Sequence, residues 1–510
     1  MKKKTILTAA VLFLIPYTLY LIPYTLYLIP LCSAQSIEFS KENFSTDKEG
    51  LKEAKRNIQD ADGYCQMGYQ MYNHALPLYL KADAFNPENA MLNYKIGVCY
   101  LYSAYKQKAT SRLETSYKLD PDAVKDIHYY LGRAYHLNME WDKAINEYQA
   151  YKEKTIKPTD KEKTDDVNKK IMECKNGIAL MKKPLAVTIK NIGDEVNSPF
   201  PDYHPVLSAD ESVLIFASRR DNTTGGGIDP VDQKYFEDIY ISTSENGIWT
   251  PAKNMGKPVN TPNMHDAPVA LSADGHKLFI YLDDMDKGSG NIYQCELKGE
   301  TWSKPKKMSE VINTDKHESS ASLSADGNTL YFISDKEGGF GRHDIYRSFW
   351  NKKKKVWEKT ENLGPTINTP EREHSVFIHP DGKTLYFSSK GHKTIGGYDI
   401  FKSVWNKKTR KWSAPENIGY PINTPDDDVD YVLSASGKHA YYSSFRADGY
   451  GEQDIYMITY GKESAPRVTI LKGTIFDAVT KKLLEADVEL IDNSKNQVIA
   501  TFQSNSVTGK

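Results

Sequence analysis

Two periodicities divide the chain. From about residue 45 to 182 the apolar positions recur at helical spacing without strand-like alternation, whereas from Asn191 onward short alternating apolar and polar runs are separated by Gly-rich turns. The first pattern predicts helices and the second an all-β region. Ahead of both, Thr5 to Leu31 carries no charge and follows three lysines. That stretch is longer than the roughly 20 residues of a membrane span and than the apolar core of an export signal. It contains the unit LIPYTLY twice in succession, at Leu14 to Tyr20 and Leu21 to Tyr27. Without the two copies it reads MKKKTILTAAVLFLIPLCSAQS, with a basic start, an apolar core and a small-residue end. The expectation is a signal peptide over 1–34, lengthened by duplication and cleaved after Ala34. A retained anchor and a lipoprotein at Cys32 are the alternatives, the latter opposed by Leu31, where lipoprotein processing requires a small residue.

Within the helical region, Ala75, Tyr79, Ala82 and Pro87 are followed by Gly97, Tyr100, Ala109, Leu113 and Pro121, and then by Gly132, Tyr135, Ala144 and Tyr148. Pro87 to Pro121 is 34 residues and Gly97 to Gly132 is 35. Small residues where helix backbones cross, large ones between them and a proline after the second helix describe a two-helix repeat. The spacing and order resemble the tetratricopeptide repeat, which implies a helical array over 45–182 with a groove for a peptide or protein.

The β region has a longer period. The turns LSADESVLIF, LSADGHKLFI, LSADGNTLYF, IHPDGKTLYF and LSASGKHAYY are each followed by an acid or amide, an isoleucine and an aromatic, beginning at Asp238, Asn291, Asp344, Asp399 and Asp454. These positions are 53, 53, 55 and 55 residues apart, and Trp249, Trp302, Trp357 and Trp412 mark an outer strand in four of the units. Such a unit fits one four-stranded propeller blade, and the five resemble the WD-like repeats of the TolB-type propeller family. The fifth unit has no Trp strand of its own. Leu185 to Lys190 stands in the phase of that strand, which predicts a five-bladed ring over 184–460 sewn from both ends, with a degenerate sixth blade as the alternative.

Eight residues before each turn stands a carboxylate: Asp202, Asp266, Glu318, Glu373 and Asp428. The column has two readings, a cap on backbone N–H groups at the start of each blade and an acidic ring that holds a cation at one channel mouth. The tips WNKKKKVW and WNKKTRKW place Lys352, Lys353, Lys354 and Lys355, and Lys407, Lys408, Arg410 and Lys411, on outer hairpins. They read as solvated turns or as a partner-binding surface for acidic proteins or anionic glycans. His204, His265, His317 and His374 lie near the starts of blades but at different offsets from the turns, which argues against a ligand set.

Residues 467–510 resemble the start of the carboxypeptidase-regulatory-like β-sandwich, through Gly473, DAVTKKLLEADVEL and the closing Thr508 to Lys510, without that family's later strands. The fold class expected is therefore multidomain α plus all-β: tetratricopeptide-repeat array, five-bladed propeller and partial sandwich. The whole order resembles OmpA-family envelope proteins of the Bacteroidota, including the PorE-type component of type IX secretion. That resemblance implies a periplasmic, outer-membrane-associated scaffold. It implies peptidoglycan anchoring only through an OmpA-like domain whose residues do not occur in this sequence.

Charge and cysteine content change little. The 66 basic and 67 acidic residues give a net charge of −1, with no pull toward nucleic acid. Cys65, Cys99, Cys174 and Cys295 form no close CxxC pair and read as buried or free thiols, a Cys65–Cys99 disulfide being compatible with an oxidising compartment. No GxSxG, HExxH or phosphate loop is present. The expected function is a non-enzymatic scaffold that binds envelope or secretion proteins and needs no cofactor. The alternative is a propeller that binds a small ligand, glycan or cation.

Overall fold

The structure, a computed structural model, describes residues 35–509 apart from 246, 285–288, 462–467, 469 and 472. The expected signal over 1–34 lies outside the described residues. Among those described, no helix is long and apolar enough to cross a membrane.

Among the described residues seven α-helices precede the strands. Helix α1 (Lys48–Gln66) packs on α2 (Tyr72–Phe85), α3 (Ala90–Leu101) on α4 (Ala109–Leu119), α5 (Ile127–Leu137) on α6 (Trp141–Lys154), and α7 (Lys161–Met181) on α6. Small residues set how closely the pairs approach. A Cβ on Gly97 would stand 2.6 Å from the Leu113 side chain, and one on Gly132 would stand 2.7 Å from the Tyr148 ring. Ala75, Ala109 and Ala144 are wholly buried, and one apolar core runs from Ala54 to Cys174. Helix α3 begins where the Asn89 side chain accepts the Leu92 N–H at 2.9 Å, satisfying one of the donors a helix start leaves over.

The β region forms five blades, each an antiparallel sheet. The innermost strands are Asp202–Leu207, Asp266–Leu271, Glu318–Leu323, Glu373–Ile378 and Asp428–Leu433. The third strands carry the Ile-aromatic motif: Asp238–Glu245, Ser289–Lys298, Asp344–Asn351, Asp399–Asn406 and Asp454–Tyr460. In the fifth blade, Val187–Asn191 supplies the outer strand, pairing Val187 with Tyr460 and Asn191 with Tyr456. Among the described residues the ring thus closes through five blades without a sixth, its two ends meeting in one sheet.

A buried asparagine joins each blade to the segment that leads into the next. Asn260 Nδ2 donates to the Ile239 carbonyl at 3.0 Å while its Oδ1 accepts the Ile239 N–H at 3.0 Å. Asn313 does the same to Ile292, Asn368 to Ile345, Asn423 to Ile400 and Asn197 to Ile455.

The helices rest on loops of the fourth and fifth blades. Lys169 pairs with Glu371 at 3.0 Å and Lys106 with Asp426 at 2.5 Å, while the His136 ring meets the Ile395 carbonyl at 2.8 Å. Glu371 and Asp426 directly precede the innermost strands of those two blades. Of the sandwich expected over 467–510, the described residues form one two-stranded hairpin, Asp487–Asp492 with Gln497–Gln503.

Candidate functional site in the propeller channel

The acidic column does not stand open around the channel. Asp202, Asp266, Glu318, Glu373 and Asp428 are all wholly buried, and each turns back into its own blade. Asp428 accepts the Thr424 N–H at 2.6 Å, the Thr424 hydroxyl at 2.8 Å and the Ser444 hydroxyl at 2.7 Å. Glu318 and Glu373 repeat the pattern with Thr314 and Ser334, and with Thr369 and Ser389. Asp202 holds Ser198 and Arg220, and Asp266 holds Thr261. Burial raises their pKa values, Asp266 to about 8.

The channel is lined one and two positions further on. Each innermost strand carries a register shift there, between Tyr203 and Val206, Pro268 and Ala270, Glu318 and Ala321, Glu373 and Val376, and Val429 and Val432. A β-bulge of this kind re-aims side chains beside a site. His204, Pro268, Ser320, Ser375 and Asp430 all line one cavity of about 220 Å³, joined by His374. Two of these residues adopt left-handed backbone, His204 at φ 53° and Asp430 at φ 59°. For a residue with a Cβ that conformation costs roughly 1–2 kcal/mol, although His and Asp tolerate it better than most.

These two residues meet. His204 Nδ1 lies 3.0 Å from Asp430 Oδ1, His374 Nε2 lies 4.0 Å from the same oxygen, and the two imidazole centroids are 5.9 Å apart. Asp430 is 7% exposed. Its Oδ2 makes no hydrogen bond of standard geometry, although the Ser443 hydroxyl helps hold the carboxylate charged. Burial works against charge on His204, but Asp430 outweighs it and lifts the imidazole above its ordinary pKa. Burial likewise opposes the Asp430 charge, and His204 overrides it, holding the carboxyl below the usual range. His374, half-buried and next to a second imidazole, is lowered by desolvation although Asp430 opposes the shift.

Glu237, Tyr281 and His317 also line the cavity. Glu237 accepts a hydrogen bond from the Tyr203 hydroxyl, and its backbone N–H donates to His265 Nδ1 at 3.3 Å. His265 Nε2 faces Asp229 at 3.3 Å. The Gly290 N–H donates to His317 Nδ1 at 3.1 Å, and a Cβ on Gly290 would collide with the Tyr281 ring.

The view of the histidines as dispersed is therefore corrected. His204 and His374 converge with Asp430 from three blades, because bulged strands let the first and second positions after the acid both reach the channel. The available signal was a break in the repeat. The acid column holds one chemistry in all five blades, while two residues later stand His, Pro, Ser, Ser and Asp. The basic tips are exposed outer turns: Lys353 and Lys354 N–H groups bond Asn351 Oδ1 at 3.0 Å, and the Lys408 N–H bonds Asn406 Oδ1 at 2.9 Å. Lys352, Lys355, Lys407 and Arg410 share those turns, and Lys411 opens the strand that follows the second.

No family model and no curated protein matches the chain. Solved structures match through the propeller. The beta-1,2-mannobiose phosphorylase from Listeria innocua is 7% identical, with 54% of this chain and 96% of that one covered at a TM-score of 0.37. The alpha-L-arabinofuranosidase from Lactobacillus brevis is 14% identical over 53% of this chain and 92% of that one, at 0.35. A Mycobacterium tuberculosis puromycin-hydrolyzing peptidase is 14% identical over 48% of this chain, at 0.25, and the chain spans only 34% of its length. At these scores no activity passes from them to this chain. All three are named as enzymes, and none as a scaffold or secretion component. The expectation of a non-enzymatic secretion scaffold is corrected on that ground.

Proposed function

We propose that the protein is an enzyme whose active site is the axial cavity of the propeller, and that it acts on a small polar molecule. One observation carries this reading: at the bulged positions of a five-fold repeat, where the fold would be served by one residue type, four of the five blades place polar groups, His204, Ser320, Ser375 and Asp430, two of them titratable, around a single cavity. A residue repeated in every blade serves the fold; a residue that breaks the repeat at a strained backbone position serves something else. The cavity is smaller than the roughly 300–1,000 Å³ of drug-sized sites, which favours a compact substrate over a polymer strand. Glu237, whose carboxylate accepts the Tyr203 hydroxyl and faces His265 Nδ1 at 3.5 Å, is placed to move a proton.

The helical pairs, with Gly97 against Leu113 and Gly132 against Tyr148, support reading them as tetratricopeptide-type repeats. The Asp487–Gln503 hairpin supports the start of a regulatory-like sandwich. With an export signal, this layout supports kinship with OmpA-family envelope proteins and a periplasmic place of action.

The test is a fragment screen by ligand-observed NMR, using small sugars, hydroxy acids and dipeptides against the full chain and against Ser320→Phe, which fills the cavity. Fragments that bind the first and are lost in the second support the reading, and a hit set untouched by Ser320→Phe overturns it. Turnover of any hit should fall on Glu237→Gln.

A further inference from the structure

We propose that His204, His374 and Asp430 bind a divalent transition-metal ion of the zinc class, one ligand from each of three neighbouring blades; this rests on the reading of the cavity as the active site. A tetrahedral ion with bonds of about 2.0–2.2 Å spaces its ligand atoms about 3.4 Å apart. The separations of 3.0 Å and 4.0 Å to Asp430 Oδ1 bracket that value, and one ligand atom from each residue lies within 4.8 Å of the others. Two imidazoles and one carboxylate form a donor set that suits zinc, cobalt or iron more than calcium or magnesium.

A simple His204–Asp430 ion pair accounts for only part of the arrangement. It leaves Asp430 Oδ2 without a bond of standard geometry on a side chain nine-tenths buried, and it gives His374 no function at 4.0 Å. It also gives no reason for both partners to hold left-handed backbone. Three protein ligands leave the fourth position of a tetrahedral site to the cavity, as in catalytic rather than structural sites. An ion held there supplies Lewis-acid polarisation of a substrate oxygen, with Glu237 on the same cavity for the proton.

The experiment uses the full chain, stripped with a chelator and titrated with zinc by calorimetry. One ion should bind per chain. His204→Asn and Asp430→Asn, chosen because asparagine tolerates positive φ, should each weaken binding by about 100-fold or more, beyond the roughly 10–100-fold that outer partners of a metal site cost. Their unfolding midpoints without metal report whether the fold is kept. In the wild type labelled with ¹⁵N-histidine, two of the twelve imidazoles should shift on adding zinc. No zinc uptake, unchanged binding in the asparagine variants or no shifted imidazole would overturn the site. Fragments lost in Ser320→Phe together with no zinc uptake leave the active-site reading standing while this inference falls. Zinc binding lost in the variants, with no fragment sensitive to Ser320→Phe, does the reverse.

Discussion

Asn197 and Ile455, 258 residues apart in the chain, exchange two hydrogen bonds: Asn197 Nδ2 donates to the Ile455 carbonyl at 2.8 Å and its Oδ1 accepts the Ile455 N–H at 2.9 Å. The same latch closes the other four blades locally, but here it joins the two ends of the ring. Asn197→Ala would strand the N–H of a fully buried residue, while the Ile455 carbonyl keeps the Ile192 N–H at 3.4 Å. At about 1–3 kcal/mol for an unsatisfied buried group, the loss should be roughly 1–3 kcal/mol in urea unfolding. Asn197→Asp keeps the acceptor and should lose less at low pH than at neutral pH.

Gly132 tests helix packing. Alanine would favour the helix by about 1 kcal/mol in an open position, but here its Cβ would stand 2.7 Å from the ring of Tyr148, which is wholly buried. Gly132→Ala should therefore destabilise the helical array by about 1–3 kcal/mol. Calorimetric unfolding checks the sign, since a gain would mean that Tyr148 can move.

Asp266 gives stability a pH slope. Burial lifts its pKa to about 8, against about 3.9 in an unfolded chain. Its protonated form is favoured by folding, so the contribution is fully present below about pH 4 and is lost as pH rises through about 8. Asp266→Asn should flatten the fall in urea midpoint between pH 5 and 9 and leave the acid side nearly unchanged.

Cys65 should be the reactive thiol. The Cys99 S–H beside it brings its pKa down to about 7 despite burial, with the Tyr79 hydroxyl 3.5 Å away. Cys174 and Cys295 are buried, with pKa values pushed up to about 12. Iodoacetamide at pH 7, read by peptide mass spectrometry, should label Cys65 first. Cys99→Ala should slow that labelling roughly tenfold, because the thiolate fraction falls as the pKa returns toward its ordinary value.

The sequence by itself determined the scaffold. A period of 53 to 55 residues, its acids and asparagines and its Ile-aromatic strands are local requirements of one blade, so five copies in register specify five blades. The strand in phase at Leu185 likewise locates the closure that Val187–Asn191 makes. Only the tertiary structure decided the site. His204 lies six residues before Asp210, His374 seven before Asp381 and Asp430 six before Ser436. Such unequal offsets read as scatter in one dimension. A bulge adds one residue to a strand without moving its ends, so both offsets can reach the channel, and ring closure then brings His204 and Asp430, 226 positions apart in the chain, to 3.0 Å.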